Sequence, residues 1–519
     1  MAAHYKVLDI PRAHSLRTDQ SYMHSKGPSL HIPSRIGDMI TNFVLLFSTG
    51  IAAISPTAFT TLEHNSPTSQ TVLWADCSIT YGPGFTCAHY SVPLDWRNPS
   101  GSHIVLGMNR YQSNATSRSG KKKNLFINYG GPGIITTQTL PLTLIGFTAD
   151  ITSEFDLIAL DPRGIGSSSP IQCDVDLWNK RISLFPKTES DFTRLVHHNQ
   201  AFGRSCLEKS GMLHIYHMET QSVARDFEGL RIALGDEPMN FLGLSYGSQI
   251  AYQYAQLFPH NIRTLLGDGI LDHTESETSL LASEAQTYED SFNRFAVWAG
   301  TSEESALVGQ DVASLVDRVV CKANHYPIPV GSGPGHFDDI TGDEILFNLQ
   351  DILALAATGN GTGHASLAPA AVEDDVQGNS ILFAGLAVNC ADWPHHSTKL
   401  SDLLYKQQLT ETWAPHTRGH VQSYTAQTRC IGWPGPAPVA NPQIELHTET
   451  PILFVQSLHD PECSYTWAVN VQAQIPSSIL LTRDGDGHTS YFTEGETTAA
   501  INAYLVNGTV PVPNTVLES

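Results

Sequence analysis

Residues 239 to 248 read Met-Asn-Phe-Leu-Gly-Leu-Ser-Tyr-Gly-Ser, and they restrict the fold more tightly than any other stretch. A short apolar run suited to a buried strand passes straight into Gly243-Leu-Ser245-Tyr-Gly247, and a helical pattern from Ser248 to Phe258 follows. With 40 Gly in 519 residues, a Gly-x-Ser-x-Gly string arises about 0.3 times by chance, so the string alone is weak. Its setting strengthens it. Strand before, helix after and glycine on either side are what a sharp strand-to-helix turn demands. Such a turn lifts the serine hydroxyl above a sheet and aims a helix N-terminus at it. The alternative is an ordinary turn serine, which needs neither flanking element.

The rest of the chain supplies the sheet. Lys123–Asn128 reads as a buried strand entering Tyr129-Gly-Gly-Pro-Gly133, and Phe155–Leu160 as another entering Asp161-Pro-Arg-Gly-Ile-Gly166. Val223, Phe227, Leu230 and Ile232 lie at helical spacing before the breaker Gly235-Asp-Glu-Pro238, and Ile262–Leu266 returns as a strand. From His273 to Gln443 the pattern is helical or irregular. Leu281, Ala285, Tyr288, Phe292 and Phe295 form one stripe, and Thr341-Gly-Asp-Glu344 has capping-box spacing. Pro327–Pro334 and Trp433–Pro442 look like linkers or lid edges. Strands resume at 450–456 and 477–482, and residues 494–506 close the chain as a helix. With 41% hydrophobic residues there is ample core material. The prediction is an α/β fold, mostly parallel, with flanking helices and an inserted helical cap of roughly 170 residues. The divisions are a leader and signal or anchor segment (1–60), first core part (61–272), cap (273–444) and second core part (445–519).

The polar residues 1–38 show no apolar periodicity. Met39–Ala58 is uncharged, with an apolar centre from Phe43 to Ile54 that fits a signal-peptide core better than a full membrane span. The expected location is secreted, with a mature start after about Ala53 to Ala58. A membrane anchor through residues 39–58, or a buried segment, is the alternative. The cysteines, Cys77, Cys87, Cys173, Cys206, Cys321, Cys390, Cys430 and Cys463, are even in number and form no Cys-x-x-Cys pair. Zinc-ribbon and thioredoxin-like chemistry therefore lack their spacing, and disulfides in an oxidising compartment are expected. Sequons at Asn114, Asn360 and Asn507 agree with that location.

A serine nucleophile needs a base and a group to orient it. After Ser245, the strand Ile452–Gln456 leads into Ser457-Leu-His-Asp460-Pro-Glu462, and Ile479–Thr482 leads into Arg483-Asp-Gly-Asp-Gly-His488. Asp460 is expected as the orienting acid and His488 as the base. Glu462, Asp484 and Asp486 compete for the acid and His459 for the base. The Tyr246 N–H, just after the nucleophile, should supply one oxyanion donor. The second should come from Gly130-Gly-Pro-Gly133, at Gly131 or failing that Gly133, since Pro132 has no N–H. His197-His198 and His395-His396 lack partners at metal-ligand spacing, so no metal or cofactor is expected.

Asn128-Tyr-Gly-Gly-Pro-Gly, Asp161-Pro-Arg-Gly-Ile-Gly-Ser-Ser, Gly243-Leu-Ser-Tyr-Gly-Ser, Asp268-Gly-Ile-Leu-Asp and Gln456…Asp460-Pro follow Val92-Pro-Leu-Asp-Trp96 in order. Together, over residues 74 to 506, they resemble the proline iminopeptidase family of serine peptidases, in its secreted tripeptidyl-aminopeptidase-like branch. The resemblance implies an α/β-hydrolase core, a helical cap after the sixth strand and exopeptidase action at free N-termini. It also implies that Asp161 and Arg163 stiffen the loop beside the active site. Two departures concern the cap and the oxyanion loop. Phe295-Ala-Val-Trp-Ala-Gly and Ser305-Ala-Leu stand where members often carry a Cys pair, and Ile134-Ile-Thr-Thr is bulkier than expected.

Lys plus Arg number 29 against 51 Asp plus Glu, a formal charge of −22 that repels phosphate and argues against nucleic-acid partners. The expected partner is a peptide or a small acyl substrate. A substrate ammonium would need a carboxylate, and Glu275, Glu277, Glu284 and Glu289 are the cap candidates. The competing activity is an esterase or lactonase acting on a small metabolite through the same residues. Epoxide hydrolysis is disfavoured because on this fold it places Asp where Ser245 stands, and a non-catalytic binding scaffold has no need of all three groups.

Overall fold

The computed structural model describes residues 71–117, 120–235, 237–329, 337–356, 375–435 and 443–518. The leader, the Met39–Ala58 segment, Asn360 and parts of the loops at 327–334 and 433–442 lie outside the described residues.

Twelve strands are numbered in chain order among the described residues. β1 (Ala75–Asp76), β2 (Phe85–Pro93), β3 (His103–Tyr111), β4 (Lys123–Asn128), β5 (Phe155–Leu160), β6 (Met239–Leu244) and β7 (Ile262–Asp268) precede the inserted block. β8 (Ile328–Pro329) and β9 (Asp339–Ile340) make a small ladder inside it, and β10 (Ile452–His459), β11 (Ser478–Asp486) and β12 (Val516–Glu518) follow it. The main sheet runs β1-β2-β3-β5-β4-β6-β7-β10-β11-β12. β1 to β3 and the β3–β5 pair are antiparallel, and every pairing from β5 to β12 is parallel.

All six residues of β6 are buried, which is why that strand reads as a continuous apolar run rather than an alternating one. Helices cover both faces of the sheet. Thr220–Ala233 and Tyr246–Leu257 contribute Phe227, Leu230, Ile250 and Tyr254 to one core, while Glu496–Asn507 contributes Ile501, Tyr504 and Leu505 to the other. The chain reverses direction across the sheet at β4, with β5 on one side and β6 on the other. Crevices at the carboxyl ends of parallel strands around such a switch are where ligands bind in this architecture.

Between β7 and β10 the described chain is largely helical, in Glu277–Thr301, Val312–His325, Gly342–Ala356, Val376–Asp392, Leu400–Trp413 and Gln422–Cys430. Leu281, Ala285, Tyr288 and Phe292 pack with Leu349, Leu353 and Tyr424 in a separate apolar cluster, with Phe295 at its edge. The capping box at Thr341 forms, with Glu344 N–H donating to Thr341 Oγ1 and Thr341 N–H to Glu344.

Six cysteines pair as Cys77–Cys87, Cys173–Cys206 and Cys390–Cys430. The expectation from eight cysteines is corrected at two positions. Cys321, exposed on the helix Val312–His325, and Cys463, buried beside Asp460, are thiols. The Cys390–Cys430 bridge ties two helices of the inserted block, Val376–Asp392 and Gln422–Cys430. Among the described residues no helix is long and apolar enough to cross a membrane.

Candidate active site

Ser245 stands at the turn from β6 into the helix Tyr246–Leu257, with φ 55° and ψ −123°. That left-handed conformation costs a non-glycine residue free energy, so the surroundings must enforce it. They do so by close approach. A Cβ on Gly243 would lie 2.2 Å from the Gly247 carbonyl oxygen, and one on Gly247 would lie 2.8 Å from that of Asn128. The Ser245 N–H donates to the Asp268 carbonyl at 2.7 Å, fixing the turn to the end of β7.

The Gly-rich loop after β4 lies against this turn. Asn128 is in register with Gly243, and its Oδ1 accepts the Gly130 N–H at 3.0 Å. Gly130 has φ 90°, and a Cβ there would come within 2.7 Å of Ser245 Cβ and 3.0 Å of the Tyr246 nitrogen. Thus Gly131, one residue on, and Tyr246, at the first helical position, belong to two backbones in contact. A first-turn N–H has no carbonyl four residues back within its helix, so it is open to an outside acceptor.

Buried Asp161 holds the far side of the loop. It accepts from Thr137 N–H at 2.8 Å and from Ser167 N–H at 3.0 Å, while both residues' hydroxyls also donate to it. Arg163 is fully buried, pairs bidentately with Asp226 and donates to the Leu94 and His217 carbonyls. The inserted helix Val376–Asp392 presses onto the loop from outside. A Cβ on Gly133 would meet the Ile381 carbonyl oxygen at 2.1 Å, and one on Gly385 that of Pro132 at 2.4 Å.

His488 Nδ1 lies 3.0 and 2.9 Å from the two carboxylate oxygens of fully buried Asp460. Asp460 Oδ1 also accepts the Glu462 and Cys463 N–H groups, each at 2.9 Å, which fixes the carboxylate. The His488 N–H donates to the Ala354 carbonyl at 3.1 Å, joining the loop to the helix Gly342–Ala356. The imidazole rests over Gly269, where an added Cβ would be 3.1 Å from His488 Cε1. Asp268 therefore links both halves. Its carbonyl takes the Ser245 N–H, while its carboxylate accepts Ser490 and Tyr491 N–H groups just past His488. Burial pushes that carboxyl up to about 6.

The competitors sit elsewhere. Asp486 pairs with Arg294, Asp484 is exposed, and His459 contacts Asp290 at 2.7 Å. Glu462 is the exception. Its Oε2 lies 3.3 Å from His488 Nε2, the nitrogen turned away from Asp460, without the alignment of a hydrogen bond. Burial alone would lower the His488 pKa, but Asp460, Glu462 and Cys463 together hold it well above the usual imidazole range. Burial also pushes Glu462 up to about 8 and the Cys463 thiol up to about 12. Donor atoms of Asp460, Cys463 and His488 lie within 4.8 Å of one another, a set that a soft divalent ion could use only by taking over the His–Asp pair.

Three of the four cap carboxylates considered for a substrate ammonium serve the inserted block itself. Glu277 pairs with Lys406 and accepts the His396 N–H. Glu284 accepts Gln350 Nε2 and the Gln422 and Ser423 N–H groups, and Glu289 accepts the Thr417 N–H at 3.0 Å. Joining of this kind spans 66 to 139 positions, so sequence spacing does not reveal it. Spacing gives Asp268 no part and offers Glu462 only as a competitor for the orienting acid, although both stand at the carboxyl ends of parallel strands.

A serine at a strand-to-helix elbow, beside an Asp–His pair carried on later strand ends of this sheet, defines a serine hydrolase of the α/β-hydrolase fold. The profile of the TAP-like protein family matches residues 415–517. It is similar to "Serine protease Hip1" of Mycobacterium tuberculosis (strain ATCC 25618 / H37Rv), 29% identical over 483 residues, covering 85% of this chain and 90% of that protein. It is also similar to "Tripeptidyl aminopeptidase" of Streptomyces lividans, 26% identical over 454 residues, 80% of each. A third relative is "Carboxylesterase B" of Mycobacterium tuberculosis (strain CDC 1551 / Oshkosh), 27% identical over 453 residues, covering 82% of this chain and 85% of that one.

Proposed function

We propose that the protein is a secreted serine exopeptidase that cleaves short peptides from free N-termini through an acyl-enzyme. Ser245 attacks the scissile carbonyl, His488 Nε2 takes its proton, and Asp460 holds the imidazole through Nδ1. The Gly131 and Tyr246 N–H groups stabilise the oxyanion of the tetrahedral intermediate. Its collapse passes the proton from His488 to the leaving amine, and water then releases the acyl group by the same route. The observation that carries this reading is the buried Asp460 carboxylate on His488 Nδ1, with the ring seated on Gly269 next to the residue that fixes Ser245.

The helices between β7 and β10 act as the cap that selects substrate, and their contact with the Pro132–Gly133 backbone couples that choice to the oxyanion loop. Three disulfides and exposed sequons at Asn114 and Asn507 support an extracellular, glycosylated protein. The carboxylesterase relative supports a second reading, ester cleavage by the same three residues. Turnover of free and N-acetylated peptides carrying one leaving group separates the two. An exopeptidase should lose ~10²-fold or more in kcat/KM on acetylation, because a charge-assisted contact disappears. Equal turnover of both, or ester cleavage alone, would favour the esterase.

A further inference from the structure

The helix Val376–Asp392 of the inserted block meets the loops of the Ser245 site at three levels. Near its start, Ser380 Oγ accepts the Gly166 N–H at 2.8 Å. Just beyond, its backbone at Ile381 and Gly385 presses on Gly133 and Pro132 of the oxyanion loop. At its last residue, the Asp392 carboxylate accepts the Thr220 N–H at 3.0 Å and the Thr220 hydroxyl. That N–H opens the helix Thr220–Ala233 and has no partner within it. Thr220 Oγ1 lies 2.6 Å from the hydroxyl of Tyr246, whose side chain is buried. A threonine hydroxyl has one proton, and with that proton on Asp392 the Tyr246 hydroxyl is the donor to Thr220. A chain of hydrogen bonds thus runs from Tyr246 through Thr220 to Asp392. The catalytic steps use none of these three side chains.

Resting on the reading of Tyr246 N–H as an oxyanion donor, we propose that Asp392 is a positioning residue for the oxyanion hole, acting through Thr220 and the Tyr246 ring. Oxyanion donors are effective only about 2.7–3.1 Å from the developing charge, so small shifts matter. Tyr246 follows Ser245, whose φ of 55° must be enforced by its surroundings. The Ser245 N–H is tied to the Asp268 carbonyl, and the Ser245 carbonyl accepts the Ser248 N–H at 2.8 Å. Thr220 and Asp392 add the anchor at the far end of the Tyr246 side chain. The other donor residue, Gly131, directly precedes the Pro132–Gly133 backbone that the same helix touches. One helix of the cap therefore braces both sides of the hole. Its end is pinned by the Cys390–Cys430 bridge, two residues before Asp392. A purely structural Asp392 would affect every acyl substrate alike, whereas a positioning one acts on those that develop an oxyanion.

The test compares p-nitrophenyl butyrate, an activated ester open to a serine peptidase or an esterase, with its thionoester. There sulfur, a weak hydrogen-bond acceptor, replaces the carbonyl oxygen. Burial pushes the Asp392 carboxyl up to about 7, so turnover is read at about pH 8, where it is ionised. Wild type should favour the ester by ~10²-fold or more in kcat/KM, because the hole's donors act on oxygen. That ratio, read within each variant, should fall about tenfold in Asp392→Ala and in Tyr246→Phe. In Asp392→Asn, which keeps one acceptor oxygen, it should fall about threefold. The Asp392→Ala, Tyr246→Phe double variant should lose no more than either single one, since both break the same chain. An unchanged ratio in Asp392→Ala would overturn the assignment while leaving the oxyanion reading intact. Equal turnover of ester and thionoester by wild type would instead overturn that reading. Should Asp392→Ala fail to fold, Asp392→Asn decides by the same ratio.

Discussion

The strand ends of the sheet and the helical block between β7 and β10 both bury carboxylates, but they use them differently. Asp161, Asp268 and Asp460 each accept two or more backbone N–H groups of loops at the Ser245 site, so these acids fix the backbone of those loops, Asp161 and Asp460 from nearby in sequence and Asp268 from far away. Glu277, Glu284 and Glu289 instead join segments within the helical block, away from those loops. Positioning of reacting groups is thus built into turns directly after strands, while the block above is held by long-range side-chain joints. The two regions meet where Gly133 and Gly385 let the oxyanion loop and the helix Val376–Asp392 touch backbone to backbone.

Loss of a strand-end acid should break activity far more than stability. Asp460→Asn is expected to lower kcat by on the order of 10³–10⁴-fold, since it alters which nitrogen of His488 carries the proton. Steady-state kinetics beside circular dichroism would check it, and a variant within tenfold of wild type would remove Asp460 from its role.

The pH profile sharpens the same contrast. His488 must be neutral to act as base, and its neighbouring carboxylates hold its pKa well above the ordinary value of 6.5. kcat/KM should then rise with pH through a limb above 6.5, falling tenfold per unit below that limb. For stability the sign reverses. A histidine whose folded pKa is raised stabilises the fold fully below its unfolded pKa, and that contribution is lost as pH rises through the folded value. Glu462→Gln removes one of the carboxylates responsible, so its limb should move to lower pH. An unmoved limb would mean that Glu462 does not act on His488.

In the helical block the expected effect is the smallest on rate and falls on stability instead. Glu289→Gln leaves one acceptor oxygen for the His416 and Thr417 N–H groups and the Thr417 hydroxyl. Unfolding free energy should drop by about 1–3 kcal/mol, measured by denaturant titration, with kcat within about threefold of wild type. A large fall in kcat at unchanged stability would place Glu289 at the substrate.

Much of this division was legible in the chain itself. The runs at 123–128, 155–160, 239–243 and 452–456 are strands because parallel strands buried on both faces must be continuously apolar. Ser245, Asp460 and His488 could be proposed because each follows such a run. The helix begins at Tyr246 rather than Ser248, since the elbow turns directly into it. The helix Glu189–Ser210, capped by the box of Thr188 and Asp191, is not among the elements read from the sequence, because its polar surface hides the apolar stripe. Illegible were the disulfide partners, the two thiols, the double attachment of Asp268 and the approach of Glu462 to Nε2. Each depends on which distant segments meet, and no local periodicity encodes that.

The central claim is that Ser245 is the nucleophile, activated by His488 on Asp460. Treatment of the intact protein with a fluorophosphonate, followed by peptide mapping, tests it most directly. The account predicts one phosphonyl group per chain, on Ser245, with labelling abolished in Ser245→Ala and slowed in Asp460→Asn. A label on another residue, or undiminished labelling of Ser245→Ala, would contradict it.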